Sequence, residues 1–432
     1  MPTKLDIDKI KHVHFIGIGG IGMSALARHF LSEKKVVSGS DRSLTPITKS
    51  LASEGAQIFA EQSAENLSSD IGLVVYTEAM NEEHPEMAAA RALKVPMVNY
   101  FEALGLAMNP YYLIAVAGTH GKTTVSAMLT DIFESVDKDP TAIIGSLRAK
   151  TQSNYRAGKS KYAIVEACEY KRDFLHLKPD ILVITNLEYE HVDYYKSLED
   201  VQDAFTSFIS QVNEGGVVIT DTSNINITPV IANAEAKVVN YHDFLELDLP
   251  LKQPGMHNRL NAAAAIAAAA QENISVSDAK QALSQFIGTW RRFEYKGEVN
   301  GAPVYDDYAH HPTEIRAAID GVKELYPGKR IILTFQPHTY SRTAALFGEF
   351  AKAVGQAQEI FLLPVFAARE ENQSGVSSRE LAVKTLETNT NAQYVDSLSA
   401  AEAAIRKSAD SETVVMVVGA GSVTALAESL TK

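Results

Sequence analysis

Gly118-Thr119-His120-Gly121-Lys122-Thr123-Thr124 places small residues, a lysine and two hydroxyls between an apolar run, Tyr111 to Ala117, and a helical pattern from Val125 to Phe133. In that setting backbone N–H groups converge on an anion at the positive end of a helix, lysine reaches terminal phosphates, and the first threonine hydroxyl ligates Mg²⁺. The full phosphate-loop pattern has a glycine five residues before Gly121, where this chain carries Val116, so the loop is a shortened one. The alternative is a glycine-containing turn that binds nothing.

A second glycine-rich loop lies upstream. His12 to Ile16 reads as a strand, followed by Gly17-Ile18-Gly19-Gly20-Ile21-Gly22-Met23 and a helical pattern through Leu31. A further strand, Lys35 to Gly39, leads to Ser40-Asp41, where an acidic residue is placed to bind a ribose. The pattern alone does not choose among NAD, FAD and a UDP-sugar.

These loops need parallel sheets behind them. Leu73 to Tyr76 and Pro96 to Val98 read as strands flanking a helix, Pro85 to Leu93. Behind the phosphate loop, Tyr162 to Val165 ends at Glu166, and Ile181 to Thr185 leads to His191. Residues at the carboxyl ends of parallel strands line the ligand crevice, so Glu166 and His191 are expected to face the phosphates and to hold Mg²⁺. Ser197 to Val212 has the apolar spacing of a core helix and Val217 to Thr220 that of a strand. Gly255 to Asn261 precedes the alanine run Ala262 to Ala270; there His257 and Asn258 are either an adenine contact or a helix cap, Asn258 being a good N-cap.

Arg291 and Arg292 lead into the last third of the chain, suited to clamping a phosphate or to a surface ion pair. Asp306, Asp307, His310 and His311 cluster at a strand end, and Pro312 starts a helix carrying Ile315, Ile319 and Val322. Arg330 to Phe335, Glu359 to Val365 and Val414 to Val418 read as strands of another Rossmann-like sheet.

At 432 residues, the chain fits about three domains. A net charge of −13 argues against a general nucleic-acid or membrane-surface binder. The single cysteine, Cys168, excludes an intrachain disulfide framework. No stretch reaches the roughly twenty apolar residues of a membrane span, and a signal-peptide pattern is missing, so the cytoplasm is the expected compartment.

Taken together, Phe15 to Met23, Gly118 to Thr124, Gly255 to Asn261, Arg291 to Phe293, Tyr305 to Glu314 and Phe335 to Arg342 resemble, in order and spacing, the Mur ligase family over the whole chain. The resemblance implies an α/β protein of three domains. Residues 1–109 would form a Rossmann-like UDP-sugar-binding domain, 110–290 a central P-loop ATPase-type domain, and 291–432 a Rossmann-like amino-acid-binding domain. The implied activity is ATP-dependent joining of L-alanine to the carboxylate of UDP-N-acetylmuramate through an acyl phosphate, with ATP and Mg²⁺ as cofactors. Its partners would be small molecules, UDP-N-acetylmuramate, L-alanine and ATP, with neither nucleic acid nor membrane.

Under that resemblance Gly17, Gly19, Gly20, Gly22, Met23, Ser40 and Asp41 hold the UDP-sugar. Gly118 to Thr124 bind ATP, with Lys122 on the phosphates, His257 and Asn258 on the adenine side, Arg292 on phosphate and Asp306 or Asp307 on the ribose side. Thr123, Glu166 and His191 hold Mg²⁺, so Lys122, Glu166, His191 and Arg292 form the catalytic set. His311, His338 and Arg342 position the amino acid and the muramoyl end. Cys168, Glu190, Thr339 and Ser422 depart from the family pattern. Several sister ligases carry a carbamylated lysine on the helix after the Mg²⁺-binding histidine; Ser197 to Val212 has no lysine, and Lys196 just precedes it. Rival readings are a recycling ligase that joins a tripeptide to the same sugar nucleotide and a nucleotide-dependent switch. A nicotinamide dehydrogenase would leave the phosphate loop unexplained.

Overall fold

The computed structural model describes residues 5–432 except 79 and 82. Long runs of Val, Ile and Ala place strands in sheet interiors, where both faces are covered and alternation disappears. Among the described residues three sheets result.

The first sheet contains β1 (His12–Ile16), β2 (Val36–Ser40), β3 (Gln57–Phe59), β4 (Leu73–Tyr76) and β5 (Met97–Asn99). Its order is β3-β2-β1-β4-β5 and every pairing is parallel. Order reverses between β1 and β4, so the crevice of this sheet opens beyond their carboxyl ends.

The second sheet contains β6 (Tyr112–Ala117), β7 (Thr141–Arg148), β8 (Ser153–Arg156), β9 (Tyr162–Glu166), β10 (Ile181–Ile184), β11 (Val217–Thr220) and β12 (Lys237–Asn240), in the order β12-β11-β10-β6-β9-β7-β8. Only the β7–β8 hairpin is antiparallel. Strand β6 is central, with Leu113 through Ala117 shielded from solvent.

The third sheet contains β13 (Glu294–Val299), β14 (Ala302–Asp307), β15 (Arg330–Phe335), β16 (Glu359–Leu362), β17 (Ala392–Tyr394) and β18 (Thr413–Val418), in the order β13-β14-β18-β15-β16-β17. The β13–β14 pair is antiparallel and the rest parallel.

The chain folds as two compact units. One runs to Leu187 and adds Gln202–Phe244 and Ala264–Ala282; it holds the first two sheets. The other comprises Glu188–Val201, Leu245–Ala263 and Leu283–Lys432 and holds the third sheet.

Several elements depart from the sequence expectation for local reasons. The helix after the phosphate loop begins at Lys122, not Val125, because Gly121, at φ 85°, ends the loop and the polar Lys-Thr-Thr triplet occupies the first turn. Strand β16 stops at Leu362, short of Val365, ahead of Pro364, which cannot donate to a ladder. The helix expected over Ser197 to Val212 spans Leu198–Ile209. Asn258 is not an N-cap: the helix starts at Met256, and the Asn258 amide lies inside its first turn, donating to the Pro254 carbonyl at 2.8 Å.

Candidate active site

In the phosphate loop, Gly118 (φ 124°) and Gly121 (φ 85°) take left-handed backbone that a side chain would strain. The segment after β10 braces the loop from outside. Asn186 accepts the His120 N–H on its side chain at 2.9 Å and the Thr119 N–H on its carbonyl at 3.1 Å, while the Thr185 hydroxyl donates to the His120 carbonyl at 2.5 Å. Neither Thr185 nor Asn186 stood out in the sequence, because each acts on a loop far upstream.

The loop's chemistry converges at the end of β9. The Thr123 hydroxyl donates to a Glu166 carboxylate oxygen at 2.8 Å, and that oxygen also accepts the Gly145 N–H at 2.8 Å. Two hard oxygen donors adjoining a phosphate cradle suit Mg²⁺. Lys122 is partnered: its Nζ lies 2.9 Å from Glu169 and donates to the carbonyls of Gly118 at 2.6 Å and Thr119 at 3.1 Å. Burial opposes the lysine's charge, yet Glu169, followed by Cys168 and Glu166, raises its pKa above the ordinary value. Glu169 itself is buried. It was missed in the sequence, where an acidic residue in a loop has nothing to mark it.

Burial, then the charge of Glu169, pushes the Cys168 thiol up to about 12. It is therefore a neutral thiol at physiological pH, not a nucleophile.

The glycine loop after β1 is built differently from expectation. Gly17 has φ +86°, and a Cβ there would lie 2.7 Å from the Thr77 side chain. Asp41 braces the loop, accepting the Gly19 N–H at 2.9 Å and the Ser43 N–H at 3.1 Å, where a ribose contact was expected. Ser40 is a correction: it is wholly buried, and its hydroxyl donates to Glu86 at 2.6 Å, so it faces the domain interior and no ligand. Met23 is likewise a core side chain. Gly20 and Gly22 open the helix Ile21–Ser32, Gly20 as its cap residue.

In the second unit the adjacent arginines separate. Arg291 is buried against Asp306 at 3.1 Å, with further bonds to the Gly419 and Gly421 carbonyls. Asp306, fully buried, also accepts the Thr424 hydroxyl at 2.6 Å; it is a structural counter-ion, which corrects its assignment to the ribose side. Asp307 accepts the Phe293 and Ala309 N–H groups at 2.8 and 2.7 Å, and burial pushes its carboxyl up to about 6 despite Arg292. Arg292 is the more exposed arginine, 3.8 Å from Glu314, with its guanidinium over the Tyr308 ring.

His311 caps the helix Pro312–Leu325. Arg342 forms a buried ion pair with Glu190 at 2.8 Å and contacts His338 Nδ1 at 3.2 Å. Burial alone would raise the Glu190 carboxyl, but Arg342 and the surrounding histidines hold it down to about 2. His338 stacks on Phe366, and burial lowers it to about 4, His310 to about 3 and His257 to about 4, so all three are neutral at physiological pH. His191, next to Glu190, takes left-handed backbone at φ 54°.

The sheets and the strand-loop-helix phosphate cradle define a nucleotide-dependent α/β protein of several Rossmann-like layers. Residues 12–112 match the model described as Mur ligase family, catalytic domain, residues 116–244 the Mur ligase middle domain, and residues 291–421 the Mur ligase, glutamate ligase domain. The chain belongs to the Mur ligase family. It is 39% identical to the UDP-N-acetylmuramate--L-alanine ligase of Agathobacter rectalis, over 99% of both chains. The crystal structure of the UDP-N-acetylmuramate-alanine ligase of Thermotoga maritima superposes with a TM-score of 0.81 at 29% identity, covering 97% of this chain and 98% of that one. A murein peptide ligase from Psychrobacter arcticus shares the fold, with a TM-score of 0.71 at 23% identity over 97% and 98% of the two chains.

Proposed function

We propose that this chain is an ATP-dependent carboxylate-amine ligase joining L-alanine to UDP-N-acetylmuramate in the cytoplasm, a step of peptidoglycan precursor synthesis. The observation that carries the reading is identity to a ligase of that name over essentially the whole chain. The three domains are read as 1–109, 110–290 and 291–432, holding the UDP-sugar, ATP and the amino acid in turn.

A carboxylate is a poor electrophile, so the amide needs an activated acyl group. A muramoyl carboxylate oxygen bonds to the γ-phosphorus as the bond to the bridging oxygen breaks, giving an acyl phosphate and ADP. The free amine of alanine then bonds to the acyl carbon, phosphate leaves with the acyl C–O electron pair, and the proton lost by the nitrogen passes to the departing phosphate or to solvent. Two anions meet in the first step, and Lys122 and Arg292 supply the opposing charge. Mg²⁺, held by Thr123 and Glu166 and joined by His191, would neutralise phosphate charge. Lys122 must exchange Glu169 for phosphate oxygens as ATP binds. His338 and His310, which burial keeps neutral, are suited to orient groups by hydrogen bonding.

The test is phosphate release from ATP with UDP-N-acetylmuramate, across a panel of amino acids and the tripeptide. L-Alanine is expected to be the best acceptor, with glycine and L-serine weaker, since a pocket for one methyl group discriminates by only ~1 to 3 kcal/mol. Preference for the tripeptide would overturn the reading in favour of the recycling reaction, and release that needs no acceptor would point to a switch.

A further inference from the structure

One aromatic side chain lies against the helix that follows the glycine loop of the first compact unit. Tyr100 is the first residue of the helix Tyr100–Met108, directly beyond the carboxyl end of β5. A methyl group built on Gly22, the second residue of the helix after the glycine loop, would fall 2.6 Å from Tyr100 Cζ and 2.8 Å from its hydroxyl oxygen. The absence of a side chain at Gly22 is what lets the phenol lie there. The charge of Glu166, the carboxylate bound to Thr123, also reaches the phenol. Burial first, then the charge of Glu166, raises the phenol's pKa, so the hydroxyl keeps its proton and stays a donor.

The ring is held on a fixed frame. Asn99 caps its helix through a reciprocal pair of 2.8 Å bonds with Glu102, and Phe101 packs edge-on at 4.8 Å. Lys171, in the 3-10 helix Tyr170–His176 after β9, reaches Glu78, just beyond β4, at 2.8 Å and so ties the first two sheets together.

A sugar nucleotide with its diphosphate at the glycine loop, presenting its carboxylate near Thr123 and Glu166, must pass this phenol. We infer that Tyr100 is a substrate-contacting residue whose hydroxyl donates a hydrogen bond to the sugar portion of the nucleotide, between the diphosphate and the carboxylate. The inference rests on the function proposed above, and it deepens that reading by naming a residue that distinguishes the sugar nucleotide from UDP alone.

The experiment is calorimetry of the full chain with UDP and with UDP-N-acetylmuramate, for wild type and Tyr100→Phe, alongside steady-state kinetics and thermal melting. Removing one such bond is expected to weaken UDP-N-acetylmuramate binding about tenfold and to raise its KM similarly. UDP affinity, KM for ATP and Tm should stay at wild-type values. Unchanged UDP-N-acetylmuramate affinity in the variant overturns the inference, as does equal weakening of UDP, which would put the contact on the diphosphate. A fall in Tm with both KM values raised would show a packing role and also overturn it. A wild type that does not bind UDP-N-acetylmuramate sinks the functional reading and this inference with it, whereas a wild type that binds while the variant matches it sinks this inference alone.

Discussion

Lys122 Nζ lies 2.9 Å from the buried carboxylate of Glu169 and is bonded at the same time to the Gly118 carbonyl, so the lysine is folded over its own phosphate loop. The positive charge proposed to meet ATP is held in place by a carboxylate three residues beyond Glu166, and both anchor the same loop region.

Lys122→Ala should therefore do two separable things. Ligation should fall by a factor of ~10³ or more, as for loss of a charge aimed at the reacting phosphate. Stability should fall by about 3 kcal/mol, because a buried carboxylate loses its partner. Adding Glu169→Gln should restore most of the stability and none of the turnover. Urea unfolding read beside phosphate release checks both, and wild-type turnover in the folded single variant would remove Lys122 from the site.

Gly145→Ala is expected to act on the metal requirement. A Cβ at Gly145 would run into the Glu166 carboxylate that its own N–H now binds. The carboxylate is the end of a flexible side chain, so it can swing away from Thr123 while the fold survives. The half-saturating Mg²⁺ concentration should rise about tenfold or more with Tm near wild type. A Mg²⁺ titration identical to wild type would show that Glu166 in this position is not a ligand.

Much of this was legible in the sequence wherever function is local. The phosphate loop and the glycine loop are contiguous strand-turn-helix segments, and the turn residues announce the backbone they need. What stayed hidden depends on residues far apart along the chain. Asp306 and Asp307 read alike as neighbours at a strand end, yet only the fold reveals that Arg291 and Thr424 bury the first. Ser40 and Asp41 are similar: strand pleating turns Ser40 inward to Glu86, while Asp41 bends back onto Gly19. The β7–β8 hairpin went unread because Gly145 and the polar run Thr151 to Arg156 break its apolar alternation. It is held by pairs beyond sequence reasoning, such as Arg148 with Asp131 and Glu134, and Asn154 with Arg28.

Asp173 gives a pH-dependent prediction. Its side chain is buried with Oδ2 lacking a hydrogen-bond partner, and burial, then Glu78, pushes its carboxyl up to about 7. An unfolded aspartate titrates near ~3.9, so between roughly pH 4 and 7 the folded protein binds more protons than the unfolded chain, and stability falls as pH rises. Allowing for relaxation around the charge, the cost at pH 8 is ~1 to 2 kcal/mol. Asp173→Asn should be more stable than wild type by about that amount at pH 8, with the gain vanishing near pH 4. Denaturant titrations across this range decide it; a gain independent of pH would assign the effect to packing.

The last prediction concerns a group this chain lacks. Sister ligases place a carbamylated lysine on the helix after the Mg²⁺-binding histidine, where the carbamate, made from an amine and CO₂, is an anionic oxygen ligand. Here that helix, Leu198–Ile209, has the sequence LEDVQDAFTSFI and carries no lysine. Lys196 is the nearest amine, but it is exposed and precedes the helix, and its backbone N–H is bonded to Asp200 at 3.2 Å. A carbamate forms only on a free amine placed where metal and protein can hold it, and the helix that would carry that amine supplies none. In the proposed reading a second Mg²⁺, where one is used, would be held by phosphate oxygens and water, with His191 beside them, since this ion keeps much of its hydration. Activity should therefore be the same in CO₂-depleted buffer with and without added bicarbonate, and Lys196→Ala should keep most of its turnover. Intact mass would mislead, because carbamates are lost on acidification, so the rate comparison is the usable measurement. Strong rescue by bicarbonate, abolished by Lys196→Ala, would show that the missing lysine has been replaced by Lys196 after all.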